Sequence, residues 1–303
     1  MRYNFEKVER CEMCGNPTNN HKVLGLRLNQ SQGFRPKRKT GIAVSVMKCR
    51  NCSLIYPQPL PIPFDIQDHY GTPPENYWRE EYFKAEPEYF SYQIKSVKKL
   101  FGFKPGMTAL DVGAGLGKCM ISLASAGFDV YGFEPSKPFY ERAVSKMGID
   151  AGRLKLGMIE EIVYPESTFD FITFGAVLEH LYHPAKNLEK AMYWLKPGGI
   201  IQLEVPSSKH FIAKLFNFYY RLRGTNYVTH ISPMHTPFHL YEFGIRSFER
   251  LGVQLGFVIE KHEFFVGEIW FIPKIFHGIL NQYMKWTKTG MQMNVYLRKT
   301  QKG

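Results

Sequence analysis

The sequence predicts an α/β chain built on a doubly wound, mostly parallel sheet, and three observations carry that prediction. From about Trp78 onward the hydrophobic pattern alternates between strand and helix periods, as successive βα units do. The stretch Thr108–Cys119, TALDVGAGLGKC, runs a short apolar strand into a glycine-rich turn and then a helix. DVYGFEPS repeats the strand-to-helix step and leaves an acid, Glu134, at the carboxyl end of its strand. Right-handed crossovers between such units give a sheet covered on both faces.

The elements follow in order. Residues 86–101 have a helical period that stops near Gly102. TALDV reads as a buried strand, GKCMISLASAG as a helix closed by Gly127, and DVYGFEP as the next strand, with Ser136 and Pro138 opening a further helix. A short strand near Leu154 precedes FDFITFGAV, the most hydrophobic strand to this point. PAKNLEKAMYWLKPGG is a helix with a Pro-Gly-Gly stop, and IIQLEVP another strand. Beyond a long aromatic insertion, residues 208–240, come the helix YEFGIRSFERLGVQLG and the strands FVIEKHEFF and MQMNVYLRK.

Length and composition suit one large domain with a small appendage: a cysteine-bearing segment 1–56, a proline-rich connector 57–77 and the α/β domain 78–303. The formal charge of +12 points to an anionic partner, with solubility alone as the equal alternative. The charged N-terminus MRYNFEKVER has no apolar run behind it, and no stretch is apolar enough to span a membrane, so a cytoplasmic protein is expected.

The glycine turn selects its ligand by what it lacks. A P-loop would need Gly in place of Val112 and a hydroxyl in place of Cys119, which argues against a nucleoside triphosphate. A dinucleotide fingerprint starting at Gly113 would put its third glycine at Lys118. What stands is Asp-x-Gly-x-Gly-x-Gly: Asp111, Gly113, Gly115 and Gly117. Glycines without β-carbons admit a ligand that carries no phosphate, and Asp111 suits an amino group or an ordered water. Glu134 can accept from both hydroxyls of a ribose.

With LDVGAGLG, FEPS, FDFITFGAVLEHLYHP and LKPGGIIQLEVPS in place, most of residues 78–303 resemble the class I S-adenosylmethionine-dependent methyltransferases. The resemblance implies a seven-stranded Rossmann-like sheet. It implies that Asp111, Gly113, Gly115, Gly117, Glu134 and Pro135 hold the methionyl and ribose parts of S-adenosylmethionine. Met158 and Ile159 would flank adenine, and the loop around Ala176 would lie under the donor. Many relatives carry an aspartate where Met158 stands, so Glu160 or a backbone carbonyl is the expected substitute.

Cys11-x-x-Cys14 and Cys49-x-x-Cys52 are separated by 34 residues, and two such pairs can complete a closed tetrahedral zinc site. With four protein ligands the zinc would be structural, in a zinc-ribbon-like segment, and the alternative is free or redox-active thiols. A cysteine segment ahead of such a domain resembles the branch that includes bacterial nucleotide-sugar C-methyltransferases.

Glu179 and His180 follow the fourth strand at its carboxyl end, where open α/β sheets bind ligands. His180 is the candidate base, oriented by Glu179 or a backbone carbonyl; a structural role is equally open. In the insertion, His230, His235 and His239 form a second group. His235 and His239 are candidate acceptor contacts, and metal binding by the three is the less favoured option. Tyr77, with Tyr70, Trp78 and Tyr82, is a candidate cover for the donor or acceptor. KHFIAKLFNFYYRLR places Phe211, Leu215, Tyr219 and Leu222 on one helical face, expected to pack on the sheet rather than to form a lid, lipid-facing surface or dimer contact. RPKRK, residues 35–39, reads as a solvated basic loop, with a phosphate grip as the sharper option and nucleic acid disfavoured.

The expected activity is methyl transfer to a small, phosphorylated or sugar-like acceptor. A lipid or quinone-like acceptor is the alternative, as is a non-catalytic donor sensor that binds nucleic acid or protein.

Overall fold

The computed structural model describes residues 3–30, 41–65, 67–70, 83–84, 86, 88–267, 269 and 272–300, with Tyr70 described by its backbone alone. The N-terminal part holds β1 (Tyr3–Glu6), β2 (Lys22–Leu28), β3 (Ala43–Lys48), β4 (Ile55–Gln58), β5 (Leu60–Pro63) and the short α1 (Gln67–Tyr70). Next come α2 (Ser91–Phe101), β6 (Thr108–Val112), α3 (Lys118–Ser125), β7 (Asp129–Glu134), α4 (Lys137–Ser145), β8 (Leu154–Leu156) and β9 (Phe169–Gly175). The chain continues through α5 (Pro184–Trp194), β10 (Leu195–Pro206), α6 (Phe211–Leu222), α7 (Ile245–Leu255), β11 (Phe257–Phe265), α8 (His277–Thr287) and β12 (Gln292–Lys299).

Seven strands form the main sheet in the order β11-β12-β10-β9-β6-β7-β8. β6 pairs in parallel with β7 and β9, as do β7 with β8 and β9 with β10. β12 runs antiparallel to both its neighbours. The chain builds outward from β6 through β7 to β8, then returns to lay β9 on the other side of β6. That reversal opens a crevice at the carboxyl ends of β6 and β9, where the glycine turn and the Leu178–His180 turn both lie. Covered on both faces, β9 reads as a nearly continuous apolar run, Phe169–Phe174. The polar exceptions are paired: the Thr173 hydroxyl donates to Gln202 Oε1, and Gln202 Nε2 donates to Asn294 Oδ1 at 3.3 Å.

Strands β2, β3 and β4 form an antiparallel sheet, and β1 pairs with β5. Cys11, Cys49, Cys52, Leu54 and Tyr56 share one apolar core with Phe174, Leu203 and Phe248 of the main domain. Ser247 Oγ donates to the Cys52 carbonyl at 3.0 Å, and Ile55 and Glu242 exchange backbone hydrogen bonds. The cysteine segment is therefore built into the domain. Its strands run past residue 56, since β4 and β5 occupy the start of the stretch read as a connector.

Three local expectations change. α2 starts at Ser91 rather than Glu86, because Phe90 before it takes a left-handed conformation (φ 59°). α5 ends at Trp194, before the Pro-Gly-Gly stop, and Leu195–Gly199 enter β10 through an irregularity in the pairing with β9. On α6, Ile212, Ala213 and Tyr220 are buried, whereas Leu215, Tyr219 and Leu222 of the face expected on the sheet are exposed. A second helix, α8, takes the inner face: Ile212 and Met284 sit in one small core.

Candidate active site

The turn after β6 is shaped by its glycines. Gly113, Gly115 and Gly117 all have positive φ (69°, 55° and 77°), a conformation that costs other residues about 1 kcal/mol. A β-carbon at Gly113 would stand 2.8 Å from Val177 Cγ2, and one at Gly117 2.6 Å from Ile149 Cγ1. Gly115 differs, because its missing side chain would point into open space. Glu134 closes the turn: Gly115 N–H donates to Oε2 and Ser136 N–H to Oε1, both at 2.8 Å. Pro135 is held from above by Gln67 Nε2, which donates to its carbonyl at 3.3 Å.

Two carboxyls lie buried here. Burial pushes Asp111 up to about 7, and the neighbouring Glu134 charge adds to the rise. Burial also lifts Glu134 to about 7, against the downward pull of its two backbone N–H bonds. Asp111 Oδ2 is buried with no hydrogen-bond partner, a costly state that a ligand's ammonium group would relieve. An acid with one orphaned oxygen, its side chain otherwise hydrogen-bonded to the Cys119 thiol, an open cradle at Gly115 and the Glu134 carboxylate fit S-adenosylmethionine. The adenine edge is less complete: Ile159 is buried, Met158 N–H donates to Glu161 Oε2, and Glu160 accepts from Asn187 Nδ2 at 3.1 Å. The Asn187 bond engages the carboxylate expected to replace the missing aspartate.

The second half of the site follows β9. Ala176 takes a left-handed turn (φ 54°) and donates its N–H to the Glu204 carbonyl at 3.2 Å. Val177 packs under Gly113, and a single 3-10 turn, Leu178–His180, presents Glu179 and His180. Glu179 approaches His239. Its Oε1 lies 3.9 Å from His239 Nε2, while the Phe238 carbonyl sits 3.4 Å from His180 Nδ1. The His180 and His239 rings meet edge to face at 4.9 Å. Burial pushes Glu179 up to about 8, His180 down to about 3 and His239 down to about 4. All three groups are thus uncharged near neutral pH. Their ligand atoms lie within 4.8 Å of one another, close enough to converge on a cation.

The three insertion histidines do not come together. His230 Nδ1 pairs with Glu242 Oε2 at 2.6 Å in a buried contact, and Glu242 also accepts from Ile231 N–H. Burial would raise the Glu242 carboxyl, but the His230 partner and these hydrogen bonds hold it below its ordinary value. His235 Nδ1 lies 3.0 Å from the Thr236 carbonyl. Only His239 joins Glu179 and His180. Tyr77, Trp78, Tyr82 and the basic loop 35–39 lie outside the described residues. Two groups had no motif to announce them. His69 stacks on Phe238 at 4.1 Å and lies 3.0 Å from the Tyr182 hydroxyl. Tyr89 is pushed above its ordinary range by burial and by the charges of Cys119, Asp111 and Glu204, although the residue stays 43% exposed.

The four N-terminal thiols converge. Cys11 Sγ and Cys52 Sγ are 3.4 Å apart, Cys14 Sγ and Cys49 Sγ 3.6 Å, and all four lie within 4.8 Å of one another. Tetrahedral zinc with bonds of about 2.3 Å sets its sulfurs about 3.8 Å apart. Both pairs use the same turn. Gly15 N–H donates to the Cys11 carbonyl and Ser53 N–H to the Cys49 carbonyl, and both donors have positive φ (67° and 68°). The Cys11 thiol draws Cys14 down to about 6. Glu12 in the first turn reaches His183 at 3.6 Å, just beyond the Leu178–His180 turn. The donor set and spacing fit a structural zinc ion.

Comparison with known proteins agrees with this architecture. The family model described as "Methyltransferase domain" matches residues 82–262. Phosphoethanolamine N-methyltransferase 2 of Caenorhabditis elegans is 27% identical over 117 residues, which are 37% of this chain and 27% of that protein. Demethylmenaquinone methyltransferase of Bacillus mycoides is 35% identical over 119 residues, 36% of this chain and 49% of that protein. The chain thus spans about half or less of these relatives' length. A solved S-adenosylmethionine-dependent methyltransferase of Archaeoglobus fulgidus aligns at 16% identity and a TM-score of 0.48, covering 75% of this chain and all of that one. With the strand order, the glycine turn and a family match across more than half its length, the chain belongs to the class I S-adenosylmethionine-dependent methyltransferase domain family.

Proposed function

We propose that the protein transfers a methyl group from S-adenosylmethionine to a small-molecule acceptor bearing a weakly acidic group, phosphorylated or sugar-like in character. One observation carries this reading: the segment Gly175–His180 links the two halves of the site. Its Val177 side chain supports the donor turn at Gly113, and Glu179 and His180 follow directly. The donor supplies an activated sulfonium methyl when bound. Asp111 takes its ammonium group, Glu134 its ribose hydroxyls, and the turn around Ala176 forms the floor. The acceptor lies against His180 and His239. His180 donates from Nδ1 to the Phe238 carbonyl, which leaves Nε2 as the lone-pair nitrogen to take the acceptor's proton. Glu179 ionises as positive charge builds on the ring pair. Buried Tyr182 and the half-buried His69 and Phe238 line these rings and limit the access of water.

A quinone-like or lipid acceptor is a second reading. The aromatic stack of His69 on Phe238 favours it, and four sequence relatives bear the name demethylmenaquinone methyltransferase. Incubating the protein with methyl-labelled donor and a fractionated bacterial extract separates the readings. Label in a nucleotide-sugar pool supports the first and label in a lipid or quinone pool the second, while donor binding without label in any pool indicates a non-catalytic sensor.

Two further outcomes are expected. His180→Ala should leave the donor Kd within about twofold and lower kcat by about 10²–10⁴; an unchanged kcat removes His180 as the base. Donor affinity should also depend on pH through Asp111 and Glu134. Both carboxyls must ionise to hold the donor, so affinity is full well above about pH 7 and weakens below it by up to about tenfold per unit for each group. Calorimetric titration between about pH 6 and about pH 8 measures this, and a flat profile would contradict it.

A further inference from the structure

Away from the site, α6 and α8 carry apolar side chains that no described residue covers. On α8 and the turn before it, Ile275, Ile279 and Trp286 are 82%, 72% and 81% exposed. On α6, Leu215, Phe218 and Leu222 are 38%, 61% and 72% exposed. Within each set the spacing follows one helix face. The opposite faces are already used, since Ile212 and Met284 are buried together with Phe216 and Leu280 against them. The Phe211 ring meets that of Tyr283 at 4.6 Å, so the two helices lie side by side as one unit.

Charge narrows the choice of partner. Residues 208–226 and 272–290 contain seven lysines and arginines, all exposed, and no aspartate or glutamate. Among them, Arg221 and Arg223 flank Leu222, and Lys285 and Lys288 flank Trp286. A second copy of this face would bring seven like charges against seven, which disfavours a two-fold interface. An anionic bilayer satisfies both features: its headgroups meet the cations, and its acyl boundary takes the isoleucine, leucine and phenylalanine side chains with the tryptophan at the interface. None of these helices is long and apolar enough to cross a membrane, so the contact is peripheral.

We propose that the α6–α8 face docks on the surface of a membrane rich in anionic phospholipid. This contact stands apart from the methyl-transfer reading, since it uses no residue of the donor or acceptor site. The test is co-sedimentation of the full chain with phosphatidylcholine vesicles, with and without phosphatidylglycerol. Binding should require phosphatidylglycerol and weaken with salt. Ile279→Ser with Trp286→Ser, and separately Lys285→Glu with Lys288→Glu, should each weaken it by about tenfold or more at unchanged Tm. Three outcomes overturn the proposal: no binding to anionic vesicles, equal binding to neutral ones, or variants that bind like the parent. Self-association of the parent chain that the Ile279 and Trp286 substitutions abolish would make the face a contact between copies, and would overturn it too.

Discussion

Glu134→Ala should remove measurable S-adenosylmethionine binding and leave the fold in place. In the folded chain the carboxylate ties the glycine turn to α4 through Gly115 N–H and Ser136 N–H, and its remaining lone pairs are the ones that would accept from a ribose. Hydrogen bonds to a charged acceptor contribute about 1.5–3 kcal/mol each. Loss of two to the ribose, with a loosened turn, should raise the donor Kd by about 10²–10⁴. Burial keeps this carboxyl near 7 in the donor-free chain, so its ionised form is costly and stability should survive its removal. Calorimetric titration with the donor, beside a thermal melt, reads both quantities. Glu134→Gln keeps one acceptor oxygen and should fall between the two. A Kd for Glu134→Ala within a few-fold of the parent value would place the ribose elsewhere.

Cys49→Ser should cost the protein its zinc and much of its stability. A closed set of four thiolates binds zinc with about 10–16 kcal/mol of apparent free energy, and in small metal sites that binding energy is folding energy. Here the cluster is not a detachable finger. Cys49 and Cys52 are fully buried in the core that also holds Phe174 and Phe248, so its loss is felt by the main sheet. A loss of about 3–5 kcal/mol would lower Tm by about 5–8 °C in a chain of this size. Metal analysis should give one zinc per parent chain and less in the variant, and a strong chelator should reproduce the lower Tm. A parent chain with no zinc and a Tm indifferent to chelator would instead make these cysteines free thiols. Because Glu12 touches His183, the same variant should also disturb the acceptor side of the site.

Much of this was legible in the sequence because the information is local. The strand, three glycines and acid of Asp111–Gly117 can make only a few turns, and the positive φ angles at all three glycines are what that spacing asks for. The Cys-x-x-Cys pairs likewise carry their own turn, with Gly15 and Ser53 in equivalent places. Alternation of period gave the succession of the βα units, whereas the chain reversal at β6 is seen only in the assembled sheet.

What required the tertiary structure is which distant group completes each local one. The insertion offered three histidines, of which His235 and His239 were the expected acceptor contacts. Glu242 takes His230 from twelve residues away, and Phe238, 58 residues from His180, supplies the carbonyl that holds its ring. His69 and Tyr89 belong to no motif and are placed by packing alone. On α6 the period showed that the helix has apolar faces, but only the position of α8 decided which would be covered. Local sequence therefore determined the donor turn, the cysteine turns and the succession of strands and helices, through backbone sterics and hydrophobic period. The Glu179–His180–His239 cluster, the shared core of the cysteine segment and the exposed face of α6 depend on contacts between residues far apart in the chain, which only the assembled sheet brings together.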